Sequence, residues 1–287
     1  MKNVPLSLEK SIYLSLRKLF FGMINDVRNG YTKDIPEMAR KFLASDEVDR
    51  YLNNLMARMA TRIRIDTARS WREAANKGSQ GPLIYELMKH EMDGPVGQKV
   101  YEIISENAAY IKTVPQDWAV FVSKYAAREA LKGKRPEEIE EDLRRIMPGH
   151  ITKNLKCIAR TECAKANAAI CEARAEAVGI KCYFWRSVRD NRTRDSHWDM
   201  NGILCFYDDP PEPERLFPYG HLNKRTGKWV GVKPYGRYHA GNTFNCRCYQ
   251  EPVVDVRFLP DVFQYHRHGE IYKTTKAAFI KQFGNVA

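Results

Sequence analysis

Leu155 to Gly202 reads LKCIARTECAKANAAICEARAEAVGIKCYFWRSVRDNRTRDSHWDMNG, and three chemistries follow one another within it. Leu155 to Val178 is rich in alanine, which favours helix and lets a neighbouring backbone approach closely. Gly179 is placed to cap that helix, because the residue just past a helix end is commonly left-handed. From Ile180 the pattern turns strand-like: Ile180, Cys182 and Phe184 alternate with Lys181 and Tyr183, and the run ends in Trp185-Arg186-Ser187. Asp190 to His197 then packs Asp190, Arg192, Arg194, Asp195 and His197 into eight residues, and Asn201-Gly202 closes it with a turn. The run is too polar for a core. Arg192 and Arg194 are expected to pair with Asp190, Asp195 or Glu162, an arrangement that would hold His197 in place.

Upstream, helical spacing dominates. Ile12, Leu16, Leu19, Phe20, Met23, Ile24 and Val27 fit one helix over 7–28, stopped by Asn29-Gly30. Val48, Tyr51, Leu52, Leu55, Met56, Met59 and Ile63 fit a second, and this Met and Leu stripe is packing rather than a cofactor box. After the loop Gly78-Ser79-Gln80-Gly81-Pro82, residues 83–111 resume helical spacing with a break at Gly94-Pro95. Val114-Pro115-Gln116-Asp117 then predicts a new helix start, with Trp118, Phe121, Val122 and Tyr125 on one face and a stop at Gly133. A short helix follows Pro136, with Glu137 and Glu138 in its first turn and Arg144 and Arg145 in its last, and Pro148-Gly149 is expected to end it. No catalytic set is recognisable here. The expectation is an α+β chain: a helical docking or scaffold module over 1–150, then a compact domain over 151–254 with one Ala-rich helix, short strands and hairpins.

The chain has 287 residues, with 47 Lys and Arg against 35 Asp and Glu, a net charge of +12. Residues 1–150 hold 25 basic and 21 acidic side chains, and residues 151–287 hold 22 and 14, so the excess is denser in the second half. A basic balance permits contact with nucleic acid without demonstrating it. Composition is globular, no stretch approaches the roughly 20 apolar residues of a membrane span, and the start is too charged for a secretory signal. Seven cysteines, an odd number, point to reduced thiols and synthesis in a cytoplasm.

Downstream, Asn245-Cys246-Arg247-Cys248 stands out. Cys246 and Cys248 with His197 and a fourth group would suit one structural zinc ion, since thiolates and imidazole form its tetrahedral sites. His239 is the nearest fourth ligand, with Asp190 or His221 behind it. The competing reading is a buried strand pair of cysteines, or a redox-sensitive thiol pair, beside a satisfied core histidine. Cys157, Cys163, Cys171, Cys182 and Cys205 read as small buried hydrophobes. Residues 206–240 look like an insertion with a hairpin turn at Asn223 to Lys228. In the tail, over 255–287, Val253 to Phe258 reads as a strand continuing from the domain; a hairpin and a short helix over Lys276 to Phe283 follow. His266 and His268 would share an exposed strand face.

Taken in order, Arg160-Thr161-Glu162, Trp185-Arg186-Ser187, Asp190 to His197, Gly202, Phe217-Pro218 and Asn245 to Cys248 resemble the phage Mu F-like head morphogenesis family. Ile111-Lys112-Thr113-Val114-Pro115 and the helix start after Gly133 resemble the segment preceding that domain, so the likeness covers about 110 to 252. It implies a minor head protein of a tailed phage or prophage. Such a protein is made in the host cytoplasm, acts in procapsid assembly, and resides in the virion head. The implied partners are the portal protein, the scaffold or major capsid protein, and packaged double-stranded DNA. The Arg160, Glu162, Asp190, Arg192 and Arg194 set would then be a structural network and the mechanism non-catalytic.

Two further classes fit some of the same residues. Arg160, Glu162, His197, Cys246 and Cys248 could instead form a metal-dependent nuclease or nucleotide-transferring site. Against an enzyme, there is no phosphate-cradling Gly-rich loop, nucleophile elbow or two-His helical metal motif. A non-specific DNA-binding internal head protein fits the charge, but no recognition helix or zinc-finger spacing accompanies it.

Overall fold

The Ala-rich helix and the strand after it organise the second half of the molecule. In the computed structural model, which describes residues 3–22, 25, 35–78, 81–222, 229–284 and 286, the chain divides into two compact units. One comprises residues 5–61 and 101–162. The other comprises 1–4, 62–100 and 163–287. The expected boundary at 150/151 therefore falls inside a helix, and residues 62–100 group with the C-terminal part.

The first unit is helical. It contains α1 (Leu6–Leu19), α2 (Ile35–Leu43), the start of α3 (Asp46–Ala75), and parts of α5 (Pro95–Leu131) and α6 (Pro136–Ala177). Residues 26–34, on which the expected end of the first helix falls, lie outside the described residues. Leu16, Phe20, Leu52, Met56, Met59 and Trp118 are almost fully buried. Phe20 stacks on Phe42 and meets Trp118 edge-on, both at 4.9 Å between ring centroids. Lys112 pairs with Asp49 at 2.6 Å.

Two expected breaks are absent. Pro115 and Pro148 lie inside continuous helices of 37 and 42 residues. An interior proline loses one backbone hydrogen bond and costs about 3 kcal/mol. The buried stripes, however, run straight through both positions: Ile111, Val114, Trp118 and Val122 across the first, Leu143, Met147, Ile151 and Leu155 across the second. Burying such a side chain is worth roughly 1.5–3 kcal/mol, so four per stripe outweigh one proline.

In the second unit, Ala68, Trp71, Ile84, Met88, Ala175 and Val178 share a core between α3, α4 (Gly81–His90) and the end of α6. The alanines allow these helices to approach closely. At the end of α6 the backbone turns as expected. Gly179 has φ +78°; its N–H bonds to Glu176 O at 3.0 Å, and Ile180 N–H bonds to Ala175 O at 2.9 Å. That pair is the Schellman pattern, and it requires a left-handed residue. A Cβ at Gly179 would meet nothing within 4 Å, so Gly179→Ala is expected to cost only the backbone term, about 1 kcal/mol. A melting temperature equal to the parent's would contradict the cap.

After the cap come β1 (Cys182–Arg186), α7 (Asp195–Asp199), β2 (Leu204–Phe206), α8 (Pro213–Leu216), β3 (Gly220–Leu222), β4 (Trp229–Gly231) and β5 (Tyr249–Pro252). The chain then closes with β6 (Val262–Arg267), β7 (Glu270–Thr275) and α9 (Lys276–Phe283). Five strands form one mixed sheet in the order β5-β1-β2-β6-β7. All neighbours are antiparallel except β2 and β6. β3 and β4 pair separately, and residues 223–228, where a hairpin turn is expected, lie outside the described residues. β1 is internal to the sheet and buried on both faces: Cys182 and Phe184 join a core with Phe263 and Phe279, while Tyr183 and Trp185 join one with Cys246 and Cys248.

The strand expected at 253–258 is displaced. β5 ends at Pro252, and Val256–Phe258 is a 3-10 turn. Asp255 explains the change, because its carboxylate accepts from Arg257 N–H at 2.8 Å and folds the chain back. The tail hairpin and helix stand where expected. His268 and Gly269 form the two-residue turn with φ +52° and +82°, which places His268 outside the strand alternation. His266 is consequently fully buried while the His268 side chain is exposed, correcting the shared exposed face.

Candidate functional site

His197 comes from α7, a five-residue helix that directly follows the polar run. The cysteines come from the segment entering β5, the partner of β1. Asn245 is left-handed, φ +53°, a conformation asparagine tolerates. It turns the chain so that both thiols converge: Cys248 N–H donates to Cys246 Sγ at 3.3 Å. His197 Nδ1 lies 3.5 Å from Cys246 Sγ and 3.4 Å from Cys248 Sγ. All three residues are buried, and the three ligand atoms lie within 4.8 Å of one another. Trp185 of β1 presents its ring edge-on to the imidazole at 5.4 Å.

The other imidazole nitrogen is fixed by a chain of oxygens. Tyr238 Oη lies 2.8 Å from His197 Nε2 and donates to Glu214 Oε1 at 2.7 Å. Since the phenol's only proton goes to the carboxylate, Nε2 carries hydrogen and donates to the phenol oxygen, and Nδ1 is the nitrogen that faces the sulfurs. Burial pushes Tyr238 up from the usual phenol range, reinforced by the carboxylate. Burial would also lower His197, but hydrogen bonds with Cys246 and Glu214 prevail and raise it. Cys246 is held well below the usual thiol range by Cys248 and His197. Cys248 is pushed up by burial and by its neighbour's charge. Two thiols and an imidazole so arranged can bind a soft or borderline metal ion.

Asp190 does not join the cluster. Arg247, which lies between the two cysteines, grips it with both guanidinium nitrogens. Arg192 reaches it with its backbone N–H at 3.1 Å and its side chain at 3.7 Å. The Arg247 hydrogen bonds hold the Asp190 carboxyl well below its usual range. Arg194 instead donates to Phe244 O at 2.6 Å and lies over the Tyr235 ring. Both arginine anchors tie the polar run to the cysteine segment. Arg160 and Glu162 belong to the helical unit, where Arg160 meets Glu9 at 3.4 Å.

His239, expected as the fourth ligand, points elsewhere. Its Nδ1 lies 3.1 Å from Tyr183 Oη, and its Nε2 lies 3.8 Å from a Glu172 carboxylate oxygen. The backbone turn at Gly241, φ +87°, separates its direction from that of the cysteines. Burial lowers His239 to about 4 from 6.5. Between those values the unfolded chain binds a proton that the folded chain refuses. Stability contributed by the neutral ring is therefore complete above pH 6.5 and lost as pH falls towards 4, by at most about 3 kcal/mol. Urea unfolding at pH 5 and pH 7 checks this; the same pH dependence in His239→Asn would refute it.

Glu214, Tyr238 and Arg247 were missed as members of the site. Glu214 and Tyr238 sit in 206–240, the segment that reads as an insertion; it carries the residues that orient His197. Arg247 was within the quoted Asn-Cys-Arg-Cys, and its position between two converging thiols was the available signal.

Residues 122–251 match the family model described as Phage Mu protein F like protein. An uncharacterized protein of Haemophilus influenzae is 29% identical over 161 residues, 56% of this chain and 30% of that relative. The chain thus matches under a third of the relative's length. No solved structure matches. The ordered motifs from Arg160 to Cys248 all fall inside the matched region, and over residues 122–251 this chain is similar to the phage Mu protein F-like family.

Proposed function

We propose that the protein acts in phage head morphogenesis, as a minor head protein at the portal vertex of a tailed phage or prophage. The observation that carries this reading is the family match over residues 122–251, within which the ordered motifs fall. The role is structural rather than catalytic. The polar network of Asp190, Arg192, Arg194 and Arg247 makes ion pairs and backbone hydrogen bonds inside the domain, so its charges serve the fold.

Docking on the portal, and on scaffold or major capsid protein, would fall to the helical unit. It exposes Tyr101, Val120 and Leu131, and Val122, Ala126, Ala130, Ile139 and Leu143 line an apolar groove there. Exposed apolar surface of this kind marks interaction sites. Contact with packaged DNA would be sequence-independent and weaken steeply with salt, because it would rest on net charge alone. No described helix is long and apolar enough to cross a membrane.

The test is co-expression with the portal, scaffold and major capsid proteins of the phage or prophage that encodes it. Co-purification with the portal, and procapsids lacking function when the gene is deleted, is the expected result. A soluble, folded chain that binds none of the three would overturn the proposal.

A further inference from the structure

The distances around His197 are those a metal centre would need, and sulfur–imidazole hydrogen bonds have the same length. In a tetrahedral zinc site with Zn–N about 2.0–2.1 Å and Zn–S about 2.3 Å, neighbouring N and S ligand atoms stand about 3.6 Å apart. The two observed N–S separations are 3.5 and 3.4 Å. The imidazole tautomer is also the one a metal requires, because the Tyr238–Glu214 chain keeps the proton on Nε2. Orientation of a metal-bound histidine by a carboxylate through its second nitrogen is a regular companion of such sites.

Among the described residues three ligand atoms converge, those of His197, Cys246 and Cys248, and no fourth side chain joins them. His239 faces Tyr183. The Asp190 carboxylate is taken up by Arg247 and by the Arg192 backbone. Glu214 lies behind the imidazole, on its Nε2 side. The side chain of His221 lies outside the described residues.

In place of a fourth side chain there is an opening. His197, Cys246 and Cys248 line a small pocket of about 10 Å³ with Arg192, Arg194 and Arg247, enough for about one water-sized group. Of these arginines, Arg247 and Arg192 share the one Asp190 carboxylate and Arg194 donates to Phe244 O, so positive charge exceeds negative beside the pocket and favours an anion there.

We propose that His197 Nδ1, Cys246 Sγ and Cys248 Sγ hold one zinc ion whose fourth position is open, filled by water and exchangeable for a small oxyanion through the arginine-lined mouth. Zinc binding displaces the thiol protons to solvent. Two thiolates and one neutral imidazole leave the centre without net charge, and the arginines then supply the attraction for an anion. Three protein ligands and an exchangeable fourth is the arrangement of reactive rather than closed zinc sites. This centre stands independently of the role in head morphogenesis, and either could fail without the other.

Replacement of the metal by cobalt(II) in the full-length protein tests it. The expected spectrum has thiolate-to-cobalt charge transfer in the near ultraviolet and intense visible bands of a four-coordinate ion, at one cobalt per chain. Azide, a slim probe of the open position, and inorganic phosphate, a probe of the arginines, should each shift the visible bands saturably. The Arg192→Ala/Arg194→Ala double variant should weaken the phosphate response about tenfold or more while the azide response remains. Failure of the folded protein to take up cobalt or zinc would overturn the proposal. So would a cobalt spectrum unmoved by both probes, the mark of a closed four-ligand site. A shift with azide but none with phosphate would overturn the oxyanion assignment.

Discussion

Arg174→Ala is expected to destabilise the unit formed by residues 62–100 and 163–287 by about 3–5 kcal/mol, the usual cost of removing one partner of a buried ion pair. Arg174 is fully buried and Glu91 nearly so. The guanidinium donates to Glu91 through Nε at 2.9 Å and Nη2 at 3.1 Å. It also donates to Thr67 Oγ1 at 2.7 Å and Arg64 O at 3.0 Å. Arg64 supplies a second cation to the same carboxylate at 2.9 Å. The pair joins α6 to the short turn that follows α4 and, through Thr67 and Arg64, to the middle of α3, so its loss leaves acceptors on two other elements without their donor. Glu91→Gln should cost less than Arg174→Ala, because an amide keeps the shape and one acceptor. If the pair acts as a unit, Glu91→Gln/Arg174→Ala will be less destabilised than the sum of the two single changes. Urea unfolding provides all three values. A loss below 1 kcal/mol for Arg174→Ala would show that the network is not a keystone of the unit.

This network was invisible in the sequence for a definite reason. Arg174 occurs in an alanine-rich helix where an arginine reads as solvated, and Glu91 lies 83 residues away in a short linking turn. Features carried by local chemistry were legible: the Ala-rich helix, its Gly179 cap, the tail hairpin and the α9 span from Lys276 to Phe283. Pro115 and Pro148 were misread because a local rule met an uninterrupted apolar stripe, and tertiary burial outweighed it. At the candidate site, His197, Cys246 and Cys248 were legible as residue types suited to one metal. Their orienting partners were not, since Tyr238 and Glu214 belong to a Pro- and Gly-rich segment with no periodicity. His239 shows the limit of nearness along the chain: it is seven residues from Cys246 and faces a different cluster, because Gly241 and Asn245 both turn the backbone between them.

On the proposed zinc centre, Cys246→Ser and Cys248→Ser are each expected to abolish metal binding and to remove most of the stabilisation that a bound metal would give the Mu F-like region. A ligand bound only by the folded chain stabilises it by an amount set by its free concentration over its dissociation constant. At a thousandfold excess this is about 4 kcal/mol. Serine is a poor zinc ligand and cannot replace the soft thiolate. The effect should spread beyond the centre, because Cys246 and Cys248 pack in one core with Trp185, Met200 and Ile203, between β1 and the segment leading to β5. Simple loss of packing would also lower stability, so the size of the drop is not enough. The separating measurement is the response to a chelator. The parent chain should melt at a clearly lower temperature once its zinc is stripped, and regain the original value on adding one equivalent. Each serine variant should melt low and be indifferent to chelator and zinc alike. A buried thiol pair without metal would behave otherwise: the parent would ignore the chelator, and the serine variants would show only the packing cost. A Tyr238→Phe variant refines the test. It keeps all three ligands but breaks the hydrogen bond to His197 Nε2 and the donation to Glu214, and loss of such an orienting partner weakens metal affinity about 10- to 100-fold. Retained zinc with weaker affinity in Tyr238→Phe, alongside complete loss in the serine variants, is the pattern that a metal centre oriented from behind its histidine requires.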